Sequence, residues 1–236
     1  TEGWTSMPPS RQGPRQKNAD AVETVASTGG DVAVVAYADG VPTAVSGPQR
    51  VRETAAGRSF TLPASGFWQV HPAAADALTG AVLDLLDPRP GETAWDLYGG
   101  AGLFAAALAE RVGGARVTLV ESAPDGVAAA RENLAGLPAV EVVAARVETA
   151  LARRRITGPV DLVVLDPPRS GAGAPVVRGV VAARPRAVAY VACDPAAFGR
   201  DVRTFAEAGW RLAALRGFDL FPMTQHVELV GLFLPG

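Results

Sequence analysis

From residue 72 onward the sequence switches regularly between helical and extended periodicity, and that alternation leaves few folds open. "PAAADALTGAVLDLLD" (72–87) carries apolar residues at helical spacing, with Pro72 near its first turn. Then come "TAWDLY" (strand), 102–112 (helix), "RVTLVES" (strand), 124–135 (helix), "VEVVAA" (strand) and 147–154 (helix). "DLVVLDPP" (strand), 174–183 (helix), "AVAYVAC" (strand) and 195–208 (helix) continue the pattern. Strands separated by helices join through right-handed crossovers into a parallel sheet covered on both faces. The last two apolar runs, "RLAALRGFDL" and "HVELVGLFLP", have no helix between them and are expected to form an antiparallel hairpin. The expected class is α/β, a doubly wound and mostly parallel sheet that ends in that hairpin.

The first 66 residues follow another pattern. Residues 1–28 are polar and dotted with Pro and Gly, and read as a flexible tail with a short helical stretch at 18–26. Residues 29–66 hold the β-like runs "DVAVVAY", "PTAVSG" and "SFTLP", a small β piece too short for a core of its own and read as part of a larger central domain. Residues 67–236 form the α/β domain. A single cysteine, Cys193, excludes a disulfide framework and a cysteine-rich metal site, so no metal is expected. With no membrane-length apolar stretch and no signal-peptide order at the start, a soluble, cytoplasmic monomer is expected. The formal net charge of −2 argues against tight nucleic-acid binding by this segment alone. Lys17 is its lone lysine; the arginine bias fits either phosphate reading or genomic base composition.

In an open α/β sheet a ligand sits outside the carboxyl ends of the strands. Polar residues cluster there. The first strand of the α/β part ends at Asp96, the second at Glu121, the fourth at Asp166 and the fifth at Cys193. The final strand runs the other way, so its start brings His226 and Glu228 to the same edge. One such residue is unremarkable, because strands end in polar residues; the set, with the lone cysteine in it, points to a site. His226 is read as structural.

"DLYGGAGLF" places Gly100-x-Gly102 between a strand and a helix, where a backbone can approach a ligand at a helix N-terminus. The third glycine of the dinucleotide fingerprint is replaced by Ala105. With Glu121 placed to accept hydrogen bonds from a ribose, this Rossmann-like pattern fits an adenosine-bearing cofactor, a nicotinamide or S-adenosylmethionine. "DPPRSG" then fixes a rigid loop beside it. Enzymes that methylate planar nitrogens carry a similar loop with an aromatic residue where Arg169 stands; an arginine suits a phosphate or carboxylate better. Cys193, with a helix beginning near Pro195, is either a buried small hydrophobe or a thiol whose ionisation the helix N-terminus favours. A thiolate beside a methyl donor implies covalent catalysis on an unreactive carbon. On residues alone three readings stay open: a covalent carbon methyltransferase, an amino-methyltransferase using the DPPR loop, and a methyltransferase-fold module that binds without turnover. A nicotinamide dehydrogenase ranks behind them.

With "FWQVHP", "DLYGGAG", "LVES", "DPPRSG", "YVACDP" and "FPMTQHVELVGLF" in this order, residues 60–236 resemble the RNA uracil-5-methyltransferases, which form 5-methyluridine in tRNA or rRNA. The resemblance implies a methyltransferase sheet, S-adenosylmethionine as cofactor and a flipped uridine of an RNA partner as target. It implies that Cys193 is the nucleophile and Glu228 the base. Gln69 would touch cofactor and target base; Asp96, Tyr98, Gly100, Gly102, Glu121 and Asp166 would line the cofactor site. Asp166, Phe67 and Arg169 would face the substrate, with Phe67 and Trp68 available for stacking or for the core. Addition of the thiolate at C6 makes C5 nucleophilic, Glu228 then removes the C5 proton, and the thiolate leaves. Three positions depart from the family pattern: Asp194 and His71 stand where asparagine is usual, and Gly99 where a cysteine is common. Members of the family generally carry an RNA-binding N-terminal domain; this chain reads as the C-terminal catalytic portion, with that domain expected to supply much of the RNA affinity.

Overall fold

The computed structural model describes residues 34–38, 41–221, 224 and 226–236. The expected tail at 1–28 lies outside the described residues. The chain divides into a smaller unit that ends at Val51 and takes in Pro63–Ser65, and a larger one of Arg52–Leu62 with Gly66–Gly236. In the smaller unit β1 (Val34–Ala38) and β2 (Val41–Ser46) pair antiparallel.

A second two-stranded sheet pairs β3 (Arg50–Ala55) with β4 (Arg58–Pro63). β3, the segment "RVRETA", is absent from the strands expected above, because its alternation is of charged residues around Val51 rather than of apolar ones. Residues 52–62 of this hairpin belong to the larger unit. Ala55 and Phe60 enter its core. Polar contacts pin it: the Ala56 N–H donates to Asp76 Oδ1 (2.6 Å), Arg58 pairs with Glu110 (2.9 Å), and the Thr61 N–H donates to Asn133 Oδ1 (2.8 Å).

The larger unit follows the expected alternation closely. Its helices are α1 (Ala74–Leu86), α2 (Leu103–Arg111), α3 (Pro124–Asn133), α4 (Val147–Ala152), α5 (Ala174–Ala182) and α6 (Pro195–Glu207). Its strands are β5 (Ala94–Leu97), β6 (Val117–Glu121), β7 (Val140–Ala144), β8 (Leu162–Leu165), β9 (Ala187–Ala192), β10 (Trp210–Phe218) and β11 (Glu228–Pro235). They form one seven-stranded sheet in the order β10-β11-β9-β8-β5-β6-β7. β5 to β9 run parallel, β11 is antiparallel to β9, and β10 is antiparallel to β11, the expected terminal hairpin.

The two-residue period of each strand divides its side chains between two cores. Leu162 and Val164 of β8, and Ala189 and Val191 of β9, face the core shared with α1, α2 and α3. Val163, Leu165, Val188 and Tyr190 face the core under α4, α5 and α6. Central strands buried on both faces must be apolar throughout, which is why "LVVL" and "AVAYVA" read as continuous hydrophobic runs. Gly231 in β11 is required by packing, since a Cβ there would stand 2.7 Å from the Phe198 ring.

Candidate active site

The pleat that sorts the core also sorts the polar residues. Asp96 has the parity of Ala94, Glu121 that of Leu119, Asp166 that of Val164, Cys193 that of Val191, and Glu228 that of Val230, all residues of the α1–α3 core. The register pairs Leu229 with Ala192, so Glu228 and Cys193 each adjoin that last pair, and Glu228 acts electrostatically on the thiol. Four carboxyl groups and one thiol, at or next to the ends of five strands, therefore fall on one face of the carboxyl edge.

The turn from β5 to α2 is built from backbone that most residues avoid. Tyr98, Gly100 and Gly102 have φ of 67°, 52° and 97°. Glu121 ties this turn to the next helix. Its Oε2 accepts from the Gly100 N–H (3.0 Å), and its Oε1 from the N–H groups of Ser122 and Ala123 (both 2.6 Å). Asn133, which sequence reasoning missed, donates from Nδ2 to the Ala101 carbonyl (3.1 Å) and links the turn to β4 through Thr61. At the family-divergent Gly99, a Cβ would lie 2.5 Å from Leu119 Cγ and 2.9 Å from Asp96 Oδ2. Leu119 thus fills the space a side chain at 99 would take. Gly99→Ala is expected to cost about 1–3 kcal/mol in urea unfolding, and Gly99→Ala with Leu119→Ala less than the two single changes summed.

Asp96 is fully buried. Its Oδ2 accepts from the Ala105 N–H (2.8 Å), whereas its Oδ1 has no hydrogen-bond partner among the described residues. Burial pushes its carboxyl up to about 7, the Ala105 bond opposes this, and the charge of Glu121 adds to it. Asp166 is pushed up to about 8, first by desolvation, then by Asp96 and Glu228. Both acids bind protons more tightly folded than unfolded, so between pH 4 and 8 the native state holds the extra protons and stability falls as pH rises. Asp96→Asn is expected to flatten that slope, with its melting temperature gaining on the parent protein's from pH 5 to pH 8.

Glu228 is buried, and burial pushes its carboxyl up while Arg169 opposes the shift. Cys193 is half-buried. Desolvation and the charges of Glu228 and Asp166 push its thiol up, and Arg169 pulls the other way. The backbone at the helix start favours the thiolate, as expected, but burial and the carboxyl groups outweigh it. The helix start is taken by Asp194, whose Oδ1 accepts from the Ala197 N–H at 2.7 Å. The second departure from the family pattern is thus a helix N-cap, a role asparagine fills equally well.

Among the other anticipated residues, Gln69 is half-buried in the loop between β4 and α1. Its neighbour Phe67 is 77% exposed, while Trp68 packs on Phe60 with ring centroids 5.3 Å apart, a core role. His71 starts α1: its Nδ1 accepts from the Ala73 N–H (3.1 Å) and its carbonyl from the Ala74 N–H (2.9 Å). His226 lies edge-on to Phe221. Tyr98 packs against the opposite core, where burial first, then Glu148 and Asp201, push its hydroxyl up and Arg146 opposes. Arg169 is exposed, and with Pro167, Pro168, Tyr190 and Cys193 it lines a small cleft between the DPPR loop and the start of α6. Two buried residues under that cleft, Tyr190 and Asp201, were not singled out from sequence. No helix among the described residues is long and apolar enough to cross a membrane.

A 50% identical relative from Streptomyces avermitilis, named an uncharacterized RNA methyltransferase, aligns over 81% of this chain and 44% of its own length. The 23S rRNA (uracil(1939)-C(5))-methyltransferase RlmD of a Shewanella species is 37% identical over 74% of this chain and 39% of its own. The crystal structure of Pyrococcus abyssi tRNA (uracil-54, C5)-methyltransferase in complex with S-adenosyl-L-homocysteine superposes with a TM-score of 0.67 at 28% identity, covering 80% of this chain and 45% of that one. The chain thus spans less than half the length of these relatives. A sequence profile described as tRNA (Uracil-5-)-methyltransferase matches residues 56–235, the stretch that holds the whole carboxyl-edge cluster, and the chain belongs to that family.

Proposed function

We propose that the chain methylates C5 of a uridine in RNA, with S-adenosylmethionine as donor, Cys193 as nucleophile and Glu228 as base. The observation that carries this reading is the placement of the lone cysteine near a buried glutamate, with Asp166 and Arg169 beside both. The residues at the ends of β5 and β6 fit the cofactor. The glycine turn offers close backbone approach, and the buried, unpartnered Asp96 Oδ1 is an acceptor in need of a donor. Asp96, the turn at Gly100 and Gly102, and Glu121 would hold the cofactor, with Gln69 and Tyr98 as further contacts. When bound, the cofactor supplies a methyl group on a sulfonium sulfur.

Uracil C5 is a poor nucleophile. A Cys193 thiolate adding at C6 would form a C–S bond and break the C5–C6 π bond, moving that electron pair onto C5 and O4; C5 would then be nucleophilic enough to take the methyl group, whose bond to sulfur breaks with its pair left on the neutral thioether. Asp166, whose carboxyl is pushed up to about 8 by burial, Asp96 and Glu228, would in its protonated form donate a hydrogen bond to a carbonyl of the base. Arg169 offsets negative charge on sulfur and ring. Glu228, its basicity raised by burial, takes the C5 proton; the electrons left behind reform the C5–C6 double bond and expel Cys193. Exposed Phe67 is a stacking surface for RNA bases. Every group invoked comes from one chain, so the reading needs no second copy.

The test is chemical. The protein is incubated with unmodified RNA and methyl-labelled S-adenosylmethionine, and the RNA is digested to nucleosides for mass analysis. Label in 5-methyluridine is expected. Label on a base nitrogen would favour the amino-methyltransferase reading, and cofactor binding without transfer the binding-module reading.

A further inference from the structure

The loop after β8 carries Asp166 and Arg169 but is itself irregular, so something must hold it. Its first half is stiffened by Pro167 and Pro168 and closed by the Gly171 N–H donating to the Pro168 carbonyl (2.8 Å). Its second half is held from beneath. Asp201 of α6 and Tyr190 of β9 are both buried. Asp201 Oδ2 accepts from the Tyr190 hydroxyl (2.5 Å) and from the Ala172 N–H (2.8 Å). The Gly173 N–H is shared between the two carboxylate oxygens (3.2 and 3.3 Å). The Tyr190 hydroxyl also accepts from the Ala172 N–H (2.9 Å). The fit leaves no room for a side chain at position 171: a Cβ on Gly171, where φ is 83°, would lie 2.8 Å from Asp201 Oδ2.

A carboxylate sealed in the interior is costly unless its lone pairs are met, and hydrogen bonds to a charged acceptor are roughly twice as strong as neutral ones. This network joins three segments. Tyr190 lies three residues before Cys193 on the nucleophile's strand, Asp201 sits on the helix that follows it, and Ala172 and Gly173 end the loop that bears Arg169. We propose that Asp201 and Tyr190 are positioning residues that clasp the 166–173 loop and so set where Arg169 and Asp166 stand relative to Cys193. The inference rests on the reading of Cys193 as the reactive group.

The charged groups acting on the thiol are Glu228 from β11 and Arg169 and Asp166 from the loop; Asp194, next in sequence, is committed to its helix cap. Arg169 is the cation among them. Releasing the loop removes its help, and moving Asp166 away has the opposite, smaller effect. Because Cys193 is the lone cysteine, its rate of alkylation by iodoacetamide as a function of pH reports on this one site in the full chain. Tyr190→Phe and Asp201→Asn are expected to shift the alkylation midpoint to higher pH and to slow alkylation at pH 7.5 by about three- to tenfold, the effect of one nearby charge on thiolate population. Arg169→Ala should shift the profile the same way, and Arg169→Ala with Asp201→Asn no further than Arg169→Ala alone. Folded variants with the parent profile, or shifts that add in full, would overturn the clasp. If Asp201→Asn does not fold, Tyr190→Phe, which loses one hydroxyl, decides on its own and in combination with Arg169→Ala. The assay uses neither RNA nor methyl donor, so it stays readable even if no 5-methyluridine is formed.

Discussion

Cys193→Ala is expected to lower methyl transfer to RNA by at least about a thousandfold while leaving the fold and cofactor binding in place. The size follows from the carbon attacked. Without addition at C6, C5 of uracil has too little electron density to displace a methyl group, and no other group at the carboxyl edge can add there. Asp166 has its carboxyl pushed up to about 8 by burial and neighbouring carboxylates, and in the proposed mechanism Glu228 is kept for the C5 proton. The fold tolerates the change because the residue is half-buried and the next one caps the helix through its own side chain. A melting temperature within a few degrees of the parent's is therefore expected alongside the lost activity. Cys193→Ser should be nearly as inactive, since a hydroxyl is far less ionised than even a thiol held up by burial. RNA containing 5-fluorouridine sharpens the test. Carbon-bound fluorine leaves Glu228 no proton to remove, so the parent protein should form a complex that survives denaturation, and the alanine variant none. Methylation of RNA by Cys193→Ala at the parent rate would end the covalent reading.

How much of this was legible before any coordinates depends on the kind of information each residue carries. Strand ends were readable to within a residue because Asp96, Glu121, Asp166 and Cys193 each interrupt an apolar run: β6 ends at Glu121 as expected, β5 runs one residue past Asp96, and β8 and β9 stop one residue short of Asp166 and Cys193; the direction of β11 followed from the missing helix before it. β3 was not, because a short strand with charged residues on one side lacks the apolar period. Asp201 was invisible for a related reason. An aspartate in an amphipathic helix normally faces water, and nothing nearby in sequence shows that Tyr190 and two loop N–H groups converge on it. The thiol's net environment was not readable because a helix start implies a favourable field, whereas the field at Cys193 also sums burial, the Glu228 carboxyl from β11, and the Asp166 carboxyl and Arg169 guanidinium from the loop after β8. Gly99 is explained by Leu119, twenty positions away and on the neighbouring strand. Local chemistry showed in the sequence; the balance between groups brought together by the sheet did not.

Glu228→Gln should separate the first step of the reaction from the last. The side chain is buried and the amide is nearly isosteric, so the variant is expected to fold. Glu228 raises the thiol's pKa, and removing its charge should let Cys193 ionise at lower pH, so iodoacetamide alkylation at pH 7.5 becomes faster than in the parent protein. Addition to C6 and bond formation to the methyl carbon then proceed, but the amide cannot accept the C5 proton. Elimination stalls with the Cys193–C6 bond intact. Turnover is expected to fall by about 10²–10⁴-fold, the usual worth of a general base. Ordinary uridine-containing RNA should then accumulate as a denaturation-resistant adduct that carries one added methyl group by mass. The opposite signs are what identify the base: a residue that merely shaped the pocket would slow both steps or neither. Parent-like turnover in Glu228→Gln, or lost turnover without any adduct despite a more reactive thiol, would assign the proton removal to another group.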